Sequence, residues 1–223
     1  MYRYFLKRFF DILISVVGLI VCFVPMLLVA IAIKVESKGP VIFKQERVGK
    51  GGKVYRMYKF RSMCVGAEQQ EGGVYCVKGD KRVTKVGRFI RATSIDELPQ
   101  FINIIKGDMS LIGPRPVLTY YPKNWEDYTD EELKRFTVRP GVTGWAAVHG
   151  RKTNTVEARF EYDNYYAEHL SFWLDTKIFF MTIKSVLTNE GNEDNGASEV
   201  KTEKTEQENA EVPAQVASGT EDN

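Results

Sequence analysis

The chain is poor in the residues that build the commonest catalytic and metal centres. Its 223 residues include three cysteines, Cys22, Cys64 and Cys76, with no CxxC among them. Neither a disulfide framework nor a zinc site is indicated. Histidine occurs only at 149 and 169, so a histidine-based triad is poorly supplied and carboxylates are the better candidates for acid–base work. The G-x-x-x-x-G-K-[ST] spacing of a phosphate loop is absent, and so is a nucleic-acid recognition motif. From Asn189 onward there is no aromatic residue, and ten acidic residues face two lysines, a net of −8. Such a segment cannot bury enough surface to fold alone. Residues 189–223 therefore read as a disordered acidic tail without a catalytic role.

What is present is concentrated in the remainder. Since the whole chain carries +2, residues 1–188 carry +10, which points to an anionic partner such as a phosphorylated small molecule, nucleic acid or acidic lipid surface. The length suits an N-terminal membrane segment (1–38), one domain (39–188) and the tail.

Ile12 to Ile33 is a run of 22 residues without a charge, fifteen of them Leu, Ile, Val or Phe. A straight helix of that length extends about 33 Å, enough for a hydrocarbon core of roughly 30 Å. No small-residue cleavage site follows it, so a removed leader is not indicated. Arg3, Lys7 and Arg8 precede the run, and Lys34 and Lys38 follow it. Positive residues at both ends favour the same side of the membrane. Pro25 is expected to break the helix, leaving pieces of about 20 Å and 12 Å, neither long enough to cross. A re-entrant helix–break–helix satisfies both facts, with a kinked single span as the alternative.

Val41–Val48 and Val54–Arg61 read as a basic hairpin joined by Gly49–Lys53. Val83–Arg91 reads as a short basic helix or loop, and Leu98–Ile105 as an apolar helix. Arg115 stands between Pro114 and Pro116 on a stiff backbone, which suits bidentate phosphate or base recognition, or equally a proline-rich turn with a surface arginine. In Arg139-Pro-Gly-Val-Thr-Gly-Trp145, Gly141 and Gly144 either let backbone approach a ligand or belong to an ordinary structural turn anchored by Trp145. Ser171–Leu187 is aromatic-rich and reads as an interfacial amphipathic helix or a core helix. The fold class expected is α+β, mostly helical.

Asp96 and Glu97 lie side by side in Arg91-Ala-Thr-Ser-Ile-Asp-Glu-Leu-Pro-Gln100. Ser94 and Glu97 have the spacing of a capping box, and acidic residues suit a first helical turn. Equally, two carboxylates among cations can carry a nucleophile, a metal ligand and a proton acceptor. Successive helical residues point about 100° apart, so the two cannot face one atom.

Five ordered motifs resemble the bacterial sugar transferase family, in its small monotopic polyprenyl-phosphate form: Lys-Arg-Phe-Phe-Asp11 before a Pro-broken run, Tyr58–Met63, Arg91–Gln100, Lys106–Pro116 and Arg139–Trp145. The resemblance covers Tyr4 to about Leu187. It implies transfer of a sugar 1-phosphate from a UDP-sugar to polyprenyl (undecaprenyl) phosphate with release of UMP, using Mg²⁺, at the cytoplasmic face of the bacterial inner membrane. By resemblance Asp96 is the nucleophile and metal contact, and Glu97 its proton-accepting or positioning neighbour. Arg91 and Arg115 with Pro116 match phosphate or nucleotide contacts, with Lys59, Arg61 and Arg151 as further candidates. Downstream glycosyltransferases are implied as partners. Val24 before Pro25, Ala147 and His149 depart from the family pattern, which bears on the break and on sugar preference. The sugar, the pathway and the oligomeric state are not written in the residues. Two other classes compete with the transferase: a membrane-anchored basic adaptor for anionic lipid or an acidic partner, and a nucleic-acid binder, disfavoured by the missing motif.

Overall fold

The computed structural model describes residues 2–70, 79–149 and 155–188. Arg151 and the acidic tail lie outside them. The apolar run forms helix α1, Lys7–Glu36, preceded by a wide helical turn at Tyr2–Leu6. The two short pieces expected around Pro25 are one continuous helix. Pro25 removes one donor and so frees only the Val21 carbonyl, which costs a turn its hydrogen bond without ending the helix. By length and composition alone, α1 is long and apolar enough to cross a membrane.

One stripe of α1 faces the protein. Lys7, Asp11, Ser15, Val29 and Ile33 are buried at helical spacing, and a Cβ on Gly18 would meet the Phe101 ring at 2.9 Å. The opposite side is open: Ile20, Val21, Phe23, Val24 and Leu28 are 61–71% exposed. Leaving each in water forgoes about 1.5–3 kcal/mol of burial. For five residues that rivals the roughly 5–15 kcal/mol that stabilises a whole domain. This surface needs an apolar solvent, which argues for membrane association.

The basic hairpin forms where expected, β1 (Ile42–Val48) pairing antiparallel with β2 (Val54–Phe60), Val48 opposite Val54. Its turn uses Gly51 and Gly52 at φ +65° and +79°, a conformation open to glycine at little cost. Short helices follow, α2 (Lys85–Ala92) and α3 (Gln100–Lys106). A second, parallel pair joins β3 (Ser110–Ile112) to β4 (Gly141–Thr143). Between them lies the capped turn α4 (Asp130–Leu133). The chain then packs α5 (Trp145–His149), α6 (Val156–His169) and α7 (Phe172–Leu187). The architecture is mostly helical α+β.

The two ends of α1 hold the helices that flank the carboxylate pair. At its C-terminal end Glu36 accepts from the backbone N–H of Lys85 and Val86 at 2.7 and 3.0 Å, satisfying donors of α2's first turn. At its N-terminal end Arg8 donates to the carbonyls of Ile104 and Ile105 in α3's last turn, and Asp11 accepts from Ser110 Oγ and Leu111 N–H at 3.0 Å each. Lys7 pairs with Asp175 of α7 at 2.8 Å.

Candidate active site

The Asp96–Glu97 pair lies in a single 3₁₀ turn, Ile95–Glu97, between α2 and α3. The capping box does not form. Ser94 takes a left-handed backbone, φ +56°, and its side chain makes no cap bond. That conformation costs a non-glycine residue of order 1 kcal/mol, and it redirects the chain sharply after α2. Pro99 lacks a donor and is the cap residue of α3, so regular helix starts at Gln100 rather than Leu98.

Asn103 fixes this turn against the hairpin, and the sequence reading missed it. Fully buried on α3, its Oδ1 accepts from Tyr58 N–H at 2.9 Å and its Nδ2 donates to the Arg56 carbonyl at 2.8 Å. An asparagine inside an apolar helical run was the only available signal. It matches both backbone groups of β2's edge, one donor to one acceptor. The register set there puts Lys59, the next residue of β2, against Glu97: Nζ donates to Oε1 at 2.9 Å.

Asp96 has a different environment from its neighbour. Partly buried, its carboxyl is pushed up to about 6, chiefly by desolvation and further by the Glu97 charge; Lys59 and Arg91 oppose the shift. Among the described residues no other side chain donates a hydrogen bond to it. The pair is therefore divided: Glu97 is held by a lysine, while Asp96 is presented, costly to ionise and without a direct ion-pair partner. A carboxylate of that kind suits attack on an electrophile or capture of a cation.

The other candidates separate. Arg91, in the last turn of α2, and Lys59 act on Asp96 electrostatically. Arg61 is buried, with its guanidinium donating to the Ser37 carbonyl and hydroxyl, each 2.9 Å, and to the Lys38 carbonyl; it closes the end of α1. Arg115 is exposed, beside Arg47, which burial first and Arg115 second bring down to about 10. The Pro116 carbonyl accepts from Arg47 at 3.1 Å, and the Arg115 carbonyl accepts from Arg135 at 2.7 Å. Gly141 and Gly144 serve backbone packing: a Cβ on either would collide with backbone atoms of Gly113. Thus the Arg139 and Lys106 motifs meet each other, and of the two readings of those glycines the structural one describes their contacts. His149 lies on Trp145, ring centroids 3.7 Å apart, and against Tyr162.

A partly buried carboxylate among cations, between two helices that are held by opposite ends of a long exposed apolar helix, is the arrangement of a membrane-associated protein. Comparison with known proteins refines that class. A family model described as bacterial sugar transferase matches residues 2–189. The chain is 47% identical over 190 residues to a UDP-N-acetylgalactosamine-undecaprenyl-phosphate N-acetylgalactosaminephosphotransferase of Aeromonas hydrophila, covering 84% of this chain and 45% of that one. It is 43% identical to the uncharacterized sugar transferase EpsL of Bacillus subtilis (83% and 89% covered). It is also 43% identical to a UDP-glucose:undecaprenyl-phosphate glucose-1-phosphate transferase of Klebsiella pneumoniae (79% and 39%). The chain thus spans under half the length of two of these relatives and most of the third. The chain belongs to the bacterial sugar transferase family.

Proposed function

We propose that this chain transfers a sugar 1-phosphate from a UDP-sugar to undecaprenyl or a related polyprenyl phosphate, releasing UMP and opening the assembly of a bacterial glycan. The observation that carries the reading is Asp96, desolvated and presented beside a lysine-held Glu97. In the first step an Asp96 oxygen attacks the β-phosphorus. The bond from that phosphorus to the bridging oxygen breaks, and its electron pair leaves with UMP. The product is an aspartyl phosphosugar. In the second step an oxygen of the polyprenyl phosphate attacks the same phosphorus and the Asp96 carboxylate departs. Glu97 accepts the acceptor's remaining proton or positions it, and Lys59 holds Glu97 in place. Arg91 draws the diphosphate toward Asp96, and Arg115 with Pro116 contributes to nucleotide binding from the β3 side.

The donor set fits Mg²⁺. Among the described residues no cluster of three or more ligating side chains forms, and Mg²⁺ ordinarily takes one or two carboxylates with substrate phosphates completing its shell. Asp96, whose burial favours a nearby cation, would hold it, and the ion would offset charge on the diphosphate.

The contacts of α1 support a monotopic arrangement on the cytoplasmic face of the inner membrane. A straight 30-residue helix reaches about 45 Å. Here both ends pack on one polar body, so a bilayer crossing would require that body on both sides. Exposed Trp173, Phe179 and Phe180 on α7 suit the headgroup region. Single cysteines placed before Arg3 and after Lys38 should be labelled from the same side; opposite sides would end the re-entrant reading.

The test of function is UMP release over a panel of UDP-sugars with undecaprenyl phosphate and Mg²⁺. One sugar should give turnover that needs the acceptor. A chain that binds acidic vesicles yet releases no UMP with any of them would be the basic adaptor instead.

A further inference from the structure

The buried cluster beneath the carboxylate turn opens on one side into a groove of about 460 Å³, within the roughly 300–1,000 Å³ range of ligand sites. Leu28, Val29 and Ala32 of α1 form one wall, and Val86, Phe89 and Ile90 of α2 the other. Lys85 is the one charged residue lining it. Helix α2 has apolar residues at i, i+3 and i+4, which turn one stripe toward α1. Yet Phe89 remains 60% exposed and Leu28 62%, so the two helices meet at the floor and stand apart above it.

The floor leads to the chemistry. Val29 and Ile90 are buried in one cluster with Phe60, and Ile95 packs against it. Each of three members is the chain neighbour of a charged residue of the site: Ile90 precedes Arg91, Phe60 follows Lys59, and Ile95 precedes Asp96. The buried floor of the groove therefore lies one residue along the chain from Lys59, Arg91 and Asp96, the two cations acting electrostatically on the carboxyl.

Resting on the reading of this chain as a polyprenyl-phosphate sugar transferase, we infer that the α1–α2 groove binds the first isoprene units of the acceptor. It thereby aims the acceptor's phosphate at Asp96. An aliphatic chain tethered to a dianion matches what this region offers: apolar walls along the groove, Lys85 on its lining, and Lys59 and Arg91 one residue of chain beyond its floor. The groove also opens on the side of α1 that needs apolar solvent, so the rest of a long chain can continue into the bilayer.

The two half-reactions separate this site from the catalytic residues. Exchange of labelled UMP into the active UDP-sugar needs no acceptor, whereas overall turnover does. Ala32→Phe, which fills the groove, and Phe89→Ala, which removes a wall from an exposed position, are the variants. The expected result is an undecaprenyl phosphate KM raised about tenfold or more, as lost apolar contact predicts, with UMP exchange within twofold of wild type. An unchanged acceptor KM in Phe89→Ala overturns the proposal, whatever Ala32→Phe does.

A second measurement on the unaltered full chain does not depend on turnover. Undecaprenyl phosphate carrying a diazirine in its first isoprene units should label 28–32 or 85–90 in phosphatidylglycerol vesicles, and unlabelled undecaprenyl phosphate should suppress the labelling. Labelling elsewhere, or equal suppression by added phosphatidylglycerol, would mean a general lipid surface and overturns the site. Absence of UMP release by the unaltered chain would instead remove the functional reading, and the labelling result would still stand by itself.

Discussion

Asp96 and Asp163 are both pushed up to about 6, in each case first by burial, but the regions around them use that burial differently. Asp163, on α6, receives Arg135 Nη2 at 2.6 Å, with both side chains only 1% exposed. Arg135 also lies over the Phe160 ring at 4.2 Å and holds the Arg115 carbonyl. That charge is enclosed by its partner. Asp96 has its cations, Lys59 and Arg91, as neighbours rather than as an ion pair, and Lys59 is taken by Glu97. The difference lies in the direct ion pair: Asp163 is joined to a buried guanidinium, whereas among the described residues Asp96 has no such bond. The same burial serves architecture at Asp163 and reactivity at Asp96.

The contrast is most directly broken by removing each charge in turn. Asp96→Asn should cut UMP release by about 10³-fold or more, roughly 4 kcal/mol of barrier; full turnover by this variant would remove it from the chemistry. Arg135→Leu should lower stability by about 3–5 kcal/mol, because Asp163 is left buried and uncompensated. Adding Asp163→Leu to it should recover most of that loss in denaturant titrations. If the single variant unfolds no more easily than wild type, the two regions do not differ as described.

Asn103→Leu should cost about 2–3 kcal/mol, from two backbone groups of β2 left unpaired. It should also weaken UMP exchange by loosening Lys59 against Glu97. Asp96→Asn carries a further, smaller signature. Between the ordinary carboxylate value near 4 and its raised value near 6, the folded state binds the Asp96 proton more tightly than the unfolded chain does. Stability therefore falls as pH rises through that window and stays lower above it. The inactive Asn variant should be more stable at pH 7.5 by about 1–3 kcal/mol, with the gain vanishing below pH 4. An equal melting temperature for the two proteins at pH 7.5 would show that Asp96 is not desolvated. Smallest of all, Lys134→Ala removes an exposed, solvent-screened pairing with Glu131 and Glu168 and should leave the denaturant midpoint almost unchanged.

Much of the fold was legible in the residues. The apolar run, the basic hairpin and the helix after Pro99 follow from local periodicity and turn chemistry, and each appears within a few residues of its expected bounds. The carboxylate pair was legible as a candidate because its two readings, capping box and site, both rest on neighbours in the chain. Three things were not. Ser94 takes the left-handed conformation that its cap role would forbid. Arg61 donates to the end of α1, a contact that the resemblance, which made it a phosphate candidate, did not reveal. Gly141 and Gly144 admit the Gly113 backbone, a choice between ligand approach and structural turn that the residues left open.

Each of those depends on what lies across from a residue, and the chain alone does not say what that is. By itself the sequence determined an apolar helix with cations at both ends, a basic hairpin, and two adjacent carboxylates that helical geometry must point apart. Only the tertiary structure decided which carboxylate would be held and which presented. The register that Asn103 sets between α3 and β2 brings Lys59 to Glu97 across 38 residues of chain, and among the described residues Asp96 has no such partner. Periodicity is a short-range property, whereas pairing and desolvation exist only once distant segments share one space.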